Sequence, residues 1–415
     1  MKVIHVNHSD INGGAARAAY RIHHALRNSG ADSRMLVNIA TAGDWTVEGP
    51  KSKFSKVLVR LRPAIASLLN STIKTANPII HSTGIIPTRM HRQLNASDAD
   101  VVNLHWVNGE MMSISDIGKL NKPVVWTLHD MWAFCGAEHG TEDTRWCNGY
   151  TANNRPVYES GFDLNRWTFA RKQKHWQLPM HIVSPSQWLA DCANNSALMR
   201  DWPISVIPNA IDTNVWEPIN KAMARELLNL PSDVPLLLFG AMGGTRDPRK
   251  GFDLLQAALN HLRGSLPGLE LVVLGQHAPK SQADIGFPVH YTGHLHDDIS
   301  LRLLYSAADA LVIPSRQENL PNTGVEAHSC GTPVVAFNTC GLPDIVSHRE
   351  TGYLAKAFDP VDLAAGLAWI LEDSTRLAAL GAASRAKAVD LWSSKVVAAL
   401  YLQMYHNVLT ASLRP

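Results

Sequence analysis

The stretch PSRQENLPNTGVEAHSCGTPVVAF, residues Pro314 to Phe337, follows the apolar run Ala310 to Ile313. The run predicts a strand that ends at the proline, and the residues after it predict a loop carrying Glu318 and a helix carrying Glu326. In open α/β sheets, ligands bind beyond the carboxyl ends of the strands, and a helix N-terminus there offers unpaired N–H groups to an anion. This stretch therefore predicts an anion site flanked by two carboxylates.

The two carboxylates indicate what is attached to the anion. A phosphate needs no carboxylate, whereas ribose and sugar hydroxyls donate well to charged acceptors. The pair Glu318 and Glu326, eight residues apart, therefore favours a nucleotide sugar as the ligand. The alternative is an ordinary strand, loop and helix with two solvated glutamates, and the spacing alone does not decide between them.

The order Glu318, seven residues, Glu326 and then Cys330 to Val335, CGTPVV, resembles the donor-site signature of the retaining glycosyltransferases of family 4. The similarity covers nearly the whole chain and is to the type that builds bacterial surface polysaccharides. It implies the α/β fold called GT-B, in which two Rossmann-like domains, each with a doubly wound parallel sheet, face a deep cleft.

Length and composition agree with two domains. A chain of 415 residues exceeds one typical core, and 46% hydrophobic with 18% charged residues is typical of soluble globular proteins. Continuous apolar strands separated by helical stretches indicate parallel sheets covered on both faces. The resemblance then implies an N-terminal acceptor-binding domain, residues 1–205, joined by a C-terminal helix, 393–415, and a donor-binding domain, residues 206–392.

The sequence favours a cytoplasmic location. It has no run of about 18 uncharged apolar residues, and its N-terminus lacks the apolar core of a signal peptide. The five cysteines form no dense framework and are expected to be thiols. No nucleic-acid partner is expected.

Positive charge is concentrated in one segment, although the net charge is only +2. Lys51 to Ser97 holds eight Lys and Arg residues and no Asp or Glu. Within it, Phe54, Val57, Leu58 and Leu61 recur at helical spacing, with basic residues on the other faces. Such a basic amphipathic helix can lie on an anionic membrane leaflet, or it can pack its apolar stripe on its own domain.

The chain opens with a predicted strand, Val3 to Val6, a loop that ends in Gly13 and Gly14, and a helix. This is the start of a Rossmann-type unit, and two residues without a Cβ allow the backbone to come close to a ligand. The resemblance places this loop beside the donor phosphate and the acceptor, which implies a donor-binding role for Gly13 and Gly14.

His129 stands where the predicted strand Val124 to Leu128 ends. Its neutral ring could hydrogen-bond a sugar hydroxyl, while Asp130 fixes the tautomer or caps the next turn. A purely structural histidine is the alternative. In the resembled family a histidine at this strand end meets the transferred sugar.

A second glycine-rich loop, Gly240 to Gly251, contains three cations within five residues. Such a loop attracts an anion, although a solvated basic turn is the alternative. In the resembled family a lysine binds the donor diphosphate, with an arginine five residues before it. Lys250 matches the lysine, but Thr245 stands at the arginine position. We expect Arg246 to substitute for that arginine, with Arg249 as the second candidate.

The loop between the two glutamates also departs from the family pattern, which has glycines after the first glutamate. Pro321 lacks an N–H group, so the phosphate donors should be Asn322 and Thr323, which open the helix. The resemblance implies that Glu326 holds the ribose. It also implies that Glu318 contacts the donor sugar and supports the developing oxocarbenium charge.

Two groups of residues resemble metal ligands. Asp98-Ala99-Asp100 has the letters of a DxD motif but precedes a strand, so we interpret it as a turn. Cys135, His139 and Cys147 could bind zinc, but they contain no CxxC pair and show no evident fourth ligand. A tryptophan-rich loop within Trp132 to Trp167 is a hypothesis for the acceptor side.

The combined hypothesis is a metal-independent, retaining glycosyltransferase. Lys250, Arg246 and the helix start at Thr323 would stabilise the diphosphate leaving group, and His129 would orient the sugar. The only co-substrate is then a nucleotide diphosphate sugar, and the acceptor is a saccharide or a lipid-linked saccharide. A GT-B nucleotide-sugar epimerase and a non-catalytic nucleotide-sugar-binding protein are the alternatives. The sequence does not name the base, the sugar, the acceptor or the linkage.

Overall fold

The computed structural model describes residues 1–240, 247–279, 285–295 and 297–412. The chain divides into two compact units, here called unit 1, Met1–Pro208 with Val397–Pro415, and unit 2, Asn209–Val396. The sequence-based division was at 205/206 and 392/393. No helix in the described ranges is long and apolar enough to cross a membrane.

Unit 1 is built on a parallel sheet. The strands of this unit are β1 (Lys2–Ser9), β2 (Asp32–Ile39), β3 (Val47–Glu48), β4 (Ile73–Lys74), β5 (Val101–Leu104), β6 (Val124–Thr127), β7 (Ser160–Gly161), β8 (His181–Ser184) and β9 (Ile204–Val206). Seven of them form a sheet in the order β3-β2-β1-β5-β6-β8-β9, with every neighbouring pair parallel. The short strands β4 and β7 pair separately and antiparallel.

The helices of unit 1 connect these strands. They are α1 (Gly14–Asn28), α2 (Lys53–Asn70), α3 (Met90–Asn95), α4 (Ile114–Ile117), α5 (Arg145–Asn148), α6 (Leu164–His175) and α7 (Gln187–Asn195). The inner strand β5 is buried at every residue because helices cover both faces of the sheet, which is why its sequence, VVNL, lacks a polar alternation.

Unit 2 repeats the same plan. Its strands are β10 (Leu236–Gly240), β11 (Glu270–Leu274), β12 (Val289–Gly293), β13 (Ala310–Ile313), β14 (Val334–Phe337) and β15 (Gly352–Ala355). Its helices are α8 (Lys221–Leu227), α9 (Phe252–Leu262), α10 (Asp298–Ala307), α11 (Asn322–Ser329), α12 (Leu342–Ile345), α13 (Pro360–Leu371) and α14 (Ser374–Lys387). The strand order is β12-β11-β10-β13-β14-β15, again entirely parallel. The doubly wound parallel sheets expected from the sequence are therefore present in both units.

The last helix, α15 (Ser394–Ser412), begins in unit 2 and continues in unit 1 from Val397 onward. It is fixed to the first sheet by two buried tyrosines. The hydroxyl of Tyr405 accepts from Asn103 of β5 at 2.7 Å, and the hydroxyl of Tyr401 lies 3.2 Å from that of Thr127 of β6. The C-terminal segment thereby completes the N-terminal unit.

Candidate functional site

The turn Pro248–Lys250 is held against the end of β13 in unit 2. Gly251 closes this turn with a φ of 67°, and a Cβ built on it would lie 1.9 Å from the carbonyl oxygen of Pro314. Only glycine satisfies both the positive φ and this close approach. Arg316 strengthens the contact, because its backbone N–H donates to the carbonyl of Arg249 at 2.8 Å.

This packing brings Lys250 and Glu318 together. The Lys250 ammonium lies 2.5 Å from Oε1 of Glu318, and the hydroxyl of Ser315 donates to the same oxygen at 3.0 Å. Both charged side chains are partly exposed. The loop after β13 and the turn Pro248–Lys250 therefore present a carboxylate and a cation side by side, as a site for a charged ligand requires.

Helix α11 starts at Asn322, four residues after Glu318. Its N-cap position is Pro321, which supplies no side-chain cap. The side chain of Asn209 reaches this point and donates to the carbonyl of Leu320 at 3.1 Å and to Oδ1 of Asn322 at 3.3 Å. Asn322 and Thr323 thus occupy the first helical positions, as predicted, and their contact with a phosphate remains a prediction.

Glu326 lies on the same helix but is buried. Only 4% of it is exposed, and the hydroxyl of Tyr305, on α10, donates to Oε2 at 2.9 Å. Tyr305 is itself 1% exposed, so the bond is shielded from water. A buried carboxylate needs such a partner, and Tyr305 therefore fixes the orientation of Glu326.

Of the two arginines that could bind the diphosphate, the structure describes Arg249 but not Arg246. The guanidinium of Arg249 forms two hydrogen bonds with Asp247, Nε to Oδ1 at 3.0 Å and Nη2 to Oδ2 at 2.7 Å. Arg246 lies outside the described residues. The preference for Arg246 over Arg249 remains a prediction.

In unit 1, the loop after β1 ends at Gly13, which has a φ of 98°. Gly14 begins α1, whose N-cap residue makes no side-chain cap. The positive φ explains the glycine at position 13, since an L side chain rarely adopts it. The helix N-terminus after β1 is therefore built as the sequence predicted, while donor binding by Gly13 and Gly14 stays a prediction.

His129 follows β6, and its ring Nε2 lies 3.1 Å from Nδ1 of His105. Burial lowers the pKa of His129 to about 4, although the charge of Asp130 opposes the shift, so the ring is neutral near pH 7. His105 is also hydrogen-bonded to His5. Sequence reasoning identified His129 but not its contact with His105, because the two residues are distant in the chain.

Asp130 acts as a turn cap. Its Oδ1 accepts from the backbone N–H of Trp132 at 2.9 Å, and its Oδ2 accepts from the indole of Trp106 at 2.8 Å. The same Oδ2 lies 2.6 Å from Nδ1 of His139, whose Nε2 is 2.8 Å from the hydroxyl of Ser82. Although partial desolvation opposes the shift, the contacts with His139, Trp132 and Trp106 hold the pKa of Asp130 below its usual value.

The contacts of His139 bear on the zinc hypothesis. Both of its ring nitrogens already have hydrogen-bond partners, and burial raises the pKa of the Cys135 thiol well above its usual value. Within the described residues, the group whose geometry could hold an ion is instead His23, His24 and Asp44. Its ligand atoms are hydrogen-bonded to one another and to neighbouring hydroxyls. In the part of the chain that the structure describes, Cys135, His139 and Cys147 do not form a group whose ligand atoms could hold an ion together.

Two further sequence features are structural. Asp98 and Asp100 precede β5 and bind the side chain and the backbone N–H of Lys2, each at 2.7 Å. The Trp132 end of the tryptophan-rich loop is also structural. Trp132 packs in the core with Trp126, and its indole donates to the carbonyl of Ser82 at 2.8 Å. Its indole face is therefore not available to an acceptor.

Helix α2 exposes its apolar stripe. Phe54 is 73% exposed and Leu68 is 71% exposed, and the stripe also includes Val57, Leu61 and Ile65. Ala66 is the only residue of the helix that is buried. These side chains are therefore not packed on unit 1. Packing of the stripe on its own domain was one of the two alternatives that the sequence left open.

Two family models match the chain. The model described as Glycosyltransferase Family 4 matches residues 12–215, and the model described as Glycosyl transferases group 1 matches residues 236–373. Between them they cover most of both units. The chain belongs to glycosyltransferase family 4. This confirms the family that the stretch from Glu318 to Val335 resembles.

Curated relatives in this family are similar over part of their length. A D-inositol 3-phosphate glycosyltransferase of Segniliparus rotundus is 32% identical over 197 residues, which are 45% of this chain and 43% of the relative. A protein of the same description from Thermobispora bispora is 32% identical over 222 residues, 50% of this chain and 51% of the relative. The chain thus matches about half the length of these relatives.

Solved structures agree on the fold. The sucrose-phosphate synthase of Thermosynechococcus elongatus has a TM-score of 0.66 at 18% identity, covering 99% of this chain and 100% of that one. Anabaena HepE, in complex with UDP and glucose, has a TM-score of 0.66 at 17% identity, covering 98% and 100%. At these identities the likeness shows the fold alone. The predicted GT-B class is confirmed.

Proposed function

We propose that this chain transfers a sugar from a nucleoside diphosphate sugar to a saccharide acceptor. The observation that carries the proposal is the pair Lys250 and Glu318, held 2.5 Å apart where β13 ends and just before the N-terminus of α11. A cation, a carboxylate and a helix start on one sheet edge suit a diphosphate joined to a polyhydroxylated group.

Each side chain has a proposed role. Lys250 and the first N–H groups of α11, at Asn322 and Thr323, neutralise the diphosphate as it leaves. Glu326 holds the ribose through its carboxylate, which Tyr305 orients. Glu318 contacts the sugar and supports positive charge at its anomeric carbon. We propose that the anomeric configuration of the donor is retained, as the resemblance to the retaining transferases of the family implies.

His129 completes the proposal in unit 1. Its neutral ring can hydrogen-bond a sugar hydroxyl, and Gly13 with the start of α1 offers backbone N–H groups to an anion. The stabilising charges are supplied by Lys250, by Arg246 and by helix ends. We therefore propose that transfer needs no divalent cation, and that EDTA leaves the rate unchanged.

The names of relatives support a nucleotide donor. A Corynebacterium glutamicum relative, 28% identical over 206 residues, is a GDP-mannose-dependent mannosyltransferase that acts on a phosphatidylinositol monomannoside. HepE has been solved with UDP-glucose. We propose a donor of this chemical class, and the choice between guanosine and uridine is left to a binding screen.

We further propose that the acceptor is a lipid-linked saccharide of a bacterial surface polysaccharide, met at the inner face of the cytoplasmic membrane. The support is α2, which exposes an apolar stripe within a segment that has eight basic and no acidic residues. An exposed amphipathic helix of this charge suits an anionic leaflet. The enzyme would be cytoplasmic and bound peripherally.

The test begins with a thermal-shift screen of nucleoside diphosphate sugars. The correct donor should raise the melting temperature, because a ligand that binds only the folded state stabilises it. With that donor, nucleoside diphosphate should be released when a lipid-linked saccharide is added. Conversion of the donor sugar without acceptor would indicate the epimerase, and binding without turnover on any acceptor would indicate the binding protein.

A further inference from the structure

One loop of unit 1, from Arg155 to Phe162, displays large apolar side chains to solvent. Val157 is fully exposed, Phe162 is 49% exposed and Tyr158 is 44% exposed. The ring of Phe162 lies edge-on to that of the half-buried Trp167, with the two centroids 6.0 Å apart, which supports it from one side. Exposed apolar residues that occur singly are ordinary, whereas a group of them marks a surface that binds a partner.

The 155–162 loop has a defined shape. The guanidinium of Arg155 donates to the carbonyl oxygens of Gly161 at 3.0 Å and Phe162 at 3.4 Å, which closes the loop on itself. Glu159, the one acidic residue of the loop, turns inward, where it is 7% exposed and accepts from Arg145 at 2.8 Å. The outer face of the loop therefore presents apolar groups without a carboxylate, and binding requires little further ordering of the chain.

Backbone pairing joins this loop to the C-terminal end of α2. Strand β4, which follows α2, pairs with β7 so that Ile73 lies opposite Gly161, and the N–H of Phe162 donates to the carbonyl of Thr72 at 3.2 Å. Gly161 has a φ of 75°, and a Cβ built on it would lie 2.5 Å from the carbonyl oxygen of Thr72, so only glycine fits there. Phe162 is thereby held next to the end of α2, where Leu68 of the apolar stripe is 71% exposed.

We propose that the 155–162 loop and α2 form one membrane-docking surface, in which Val157 and Phe162 enter the headgroup and upper acyl region of an anionic leaflet. The charge of the adjoining segment selects this partner, because Lys51 to Ser97 holds eight basic and no acidic residues. The loop selects it further, since aromatic side chains settle at the interface between lipid and water. This inference rests on the proposed function, in which α2 meets the membrane, and it adds an apolar contact that salt does not screen.

Sedimentation with vesicles of phosphatidylglycerol and phosphatidylcholine tests the role of the loop. The double variant Val157→Ser with Phe162→Ser leaves the net charge unchanged. Its partition coefficient should be lower than that of the native protein by at least about tenfold, because two apolar side chains no longer leave water on binding. Since the lost contact is apolar, this factor should be the same at low and at moderate salt. Thermal unfolding verifies that the variant folds.

A second measurement does not depend on the folding of that variant. Val157, which is fully exposed, is replaced by the photoreactive residue p-benzoylphenylalanine, which should crosslink to lipid when it is irradiated with anionic vesicles. The same replacement at Leu178, which is 80% exposed and follows α6 whereas Phe162 precedes it, should give no crosslink. The matched control for sedimentation is Leu178→Ser with Leu227→Ser, which removes two exposed apolar residues elsewhere and should sediment like the native protein.

The outcomes separate this inference from the proposed docking by α2. Weaker sedimentation of the loop variant, with a lipid crosslink at position 157 and none at 178, would support it. If the native protein sediments with anionic vesicles but the loop variant does so equally well, or if positions 157 and 178 crosslink alike or not at all, the loop is not part of the docking surface and α2 acts alone. If the native protein stays in the supernatant with anionic vesicles, the proposed docking itself fails, and this inference fails with it.

Discussion

At the scale of single residues, the Lys250 and Glu318 pair explains how a carboxylate can lie beside a site for a diphosphate. Lys250 offsets the charge of Glu318 in the free protein, and the same ammonium can bind an incoming phosphate oxygen. We predict that Lys250→Ala leaves the fold intact and lowers turnover by about 100-fold or more, because the leaving-group charge loses its fixed counter-charge. The measurement is steady-state transfer, with circular dichroism to verify folding.

Arg249→Ala is the matched control for that substitution. Its guanidinium is held by Asp247, so its loss should reduce turnover less than the loss of Arg246 or Lys250. If Arg249→Ala is more harmful than Arg246→Ala, the assignment of the displaced arginine is wrong.

A second prediction at this scale concerns Glu326. Glu326→Ala should weaken donor binding by about 1.5 to 3 kcal/mol, because the ribose hydroxyls lose a charged acceptor. Tyr305→Phe removes only the hydrogen bond that orients the carboxylate and should cost less, about 1 kcal/mol. Titration calorimetry with the donor measures both. Equal affinity in the native protein and Glu326→Ala would remove Glu326 from the site.

The site residues that were predicted from the sequence belong to local patterns, whereas those that were missed depend on tertiary packing. Lys250 and Glu318 could be predicted because each follows a strand of one sheet and stands at a position of the family pattern that the sequence resembles. Tyr305 and His105 could not, because their partners depend on how helices and strands pack, which no local pattern encodes. Asn209 was not predicted either, because only the structure shows that its side chain reaches the start of α11.

At the scale of elements, the exposed stripe of α2 leads to a prediction about membranes. Each basic residue near an anionic leaflet contributes about 1 kcal/mol, so several can bind reversibly without an anchor. We predict that the protein sediments with anionic but not neutral vesicles and is released by high salt. Replacement of Lys53, Lys56, Arg60 and Arg62 by glutamine should abolish sedimentation.

The control for this experiment keeps the change in net charge the same. It replaces four exposed basic residues of unit 1 that lie outside α2: Lys119, Arg166, Lys174 and Arg200. This variant should still sediment. If both variants sediment equally, or if the native protein stays in the supernatant with either lipid, α2 is not a membrane-binding element.

The elements themselves were predicted unevenly. The buried inner strand β13 has the predicted bounds, since four apolar residues in a row that end at a proline have few alternatives. Strand β9, which lies at the edge of its sheet, and strand β15, which starts at Gly352, were not predicted. The first is only three residues long, and the second depends on pairing with β14 rather than on its own pattern.

At the scale of the whole molecule, length and continuous apolar strands predicted two domains with parallel sheets, and the family resemblance implied the GT-B class. The return of the C-terminal helix to unit 1 was implied by the family resemblance alone. Its basis in this chain is the pair Tyr401 and Tyr405, whose hydroxyls reach polar side chains of β5 and β6. Tyrosines in a C-terminal helix do not reveal such distant partners by themselves.

The buried histidines of both units make stability depend on pH. Burial lowers the pKa of His23 in unit 1 and of His328 in unit 2 to about 3, and that of His129 to about 4. In the unfolded chain a histidine has a pKa of about 6.5, so below that pH the unfolded state binds protons that the folded state does not. The stabilisation is therefore complete above pH 6.5 and is lost as the pH falls from there toward the folded values.

We predict that the free energy of unfolding decreases between pH 7.5 and pH 5, by about 2 kcal/mol for each histidine that stays neutral in the folded state. His328, stacked on Trp392 at an interplanar angle of 16°, isolates one such contribution. In His328→Phe the decrease for unit 2 should be smaller by about that amount, because phenylalanine does not titrate. Urea unfolding at the two pH values measures it, and His261→Gln, at an exposed position of α9, should leave it unchanged. An identical decrease in native protein and His328→Phe would mean that His328 already binds its proton in the folded state.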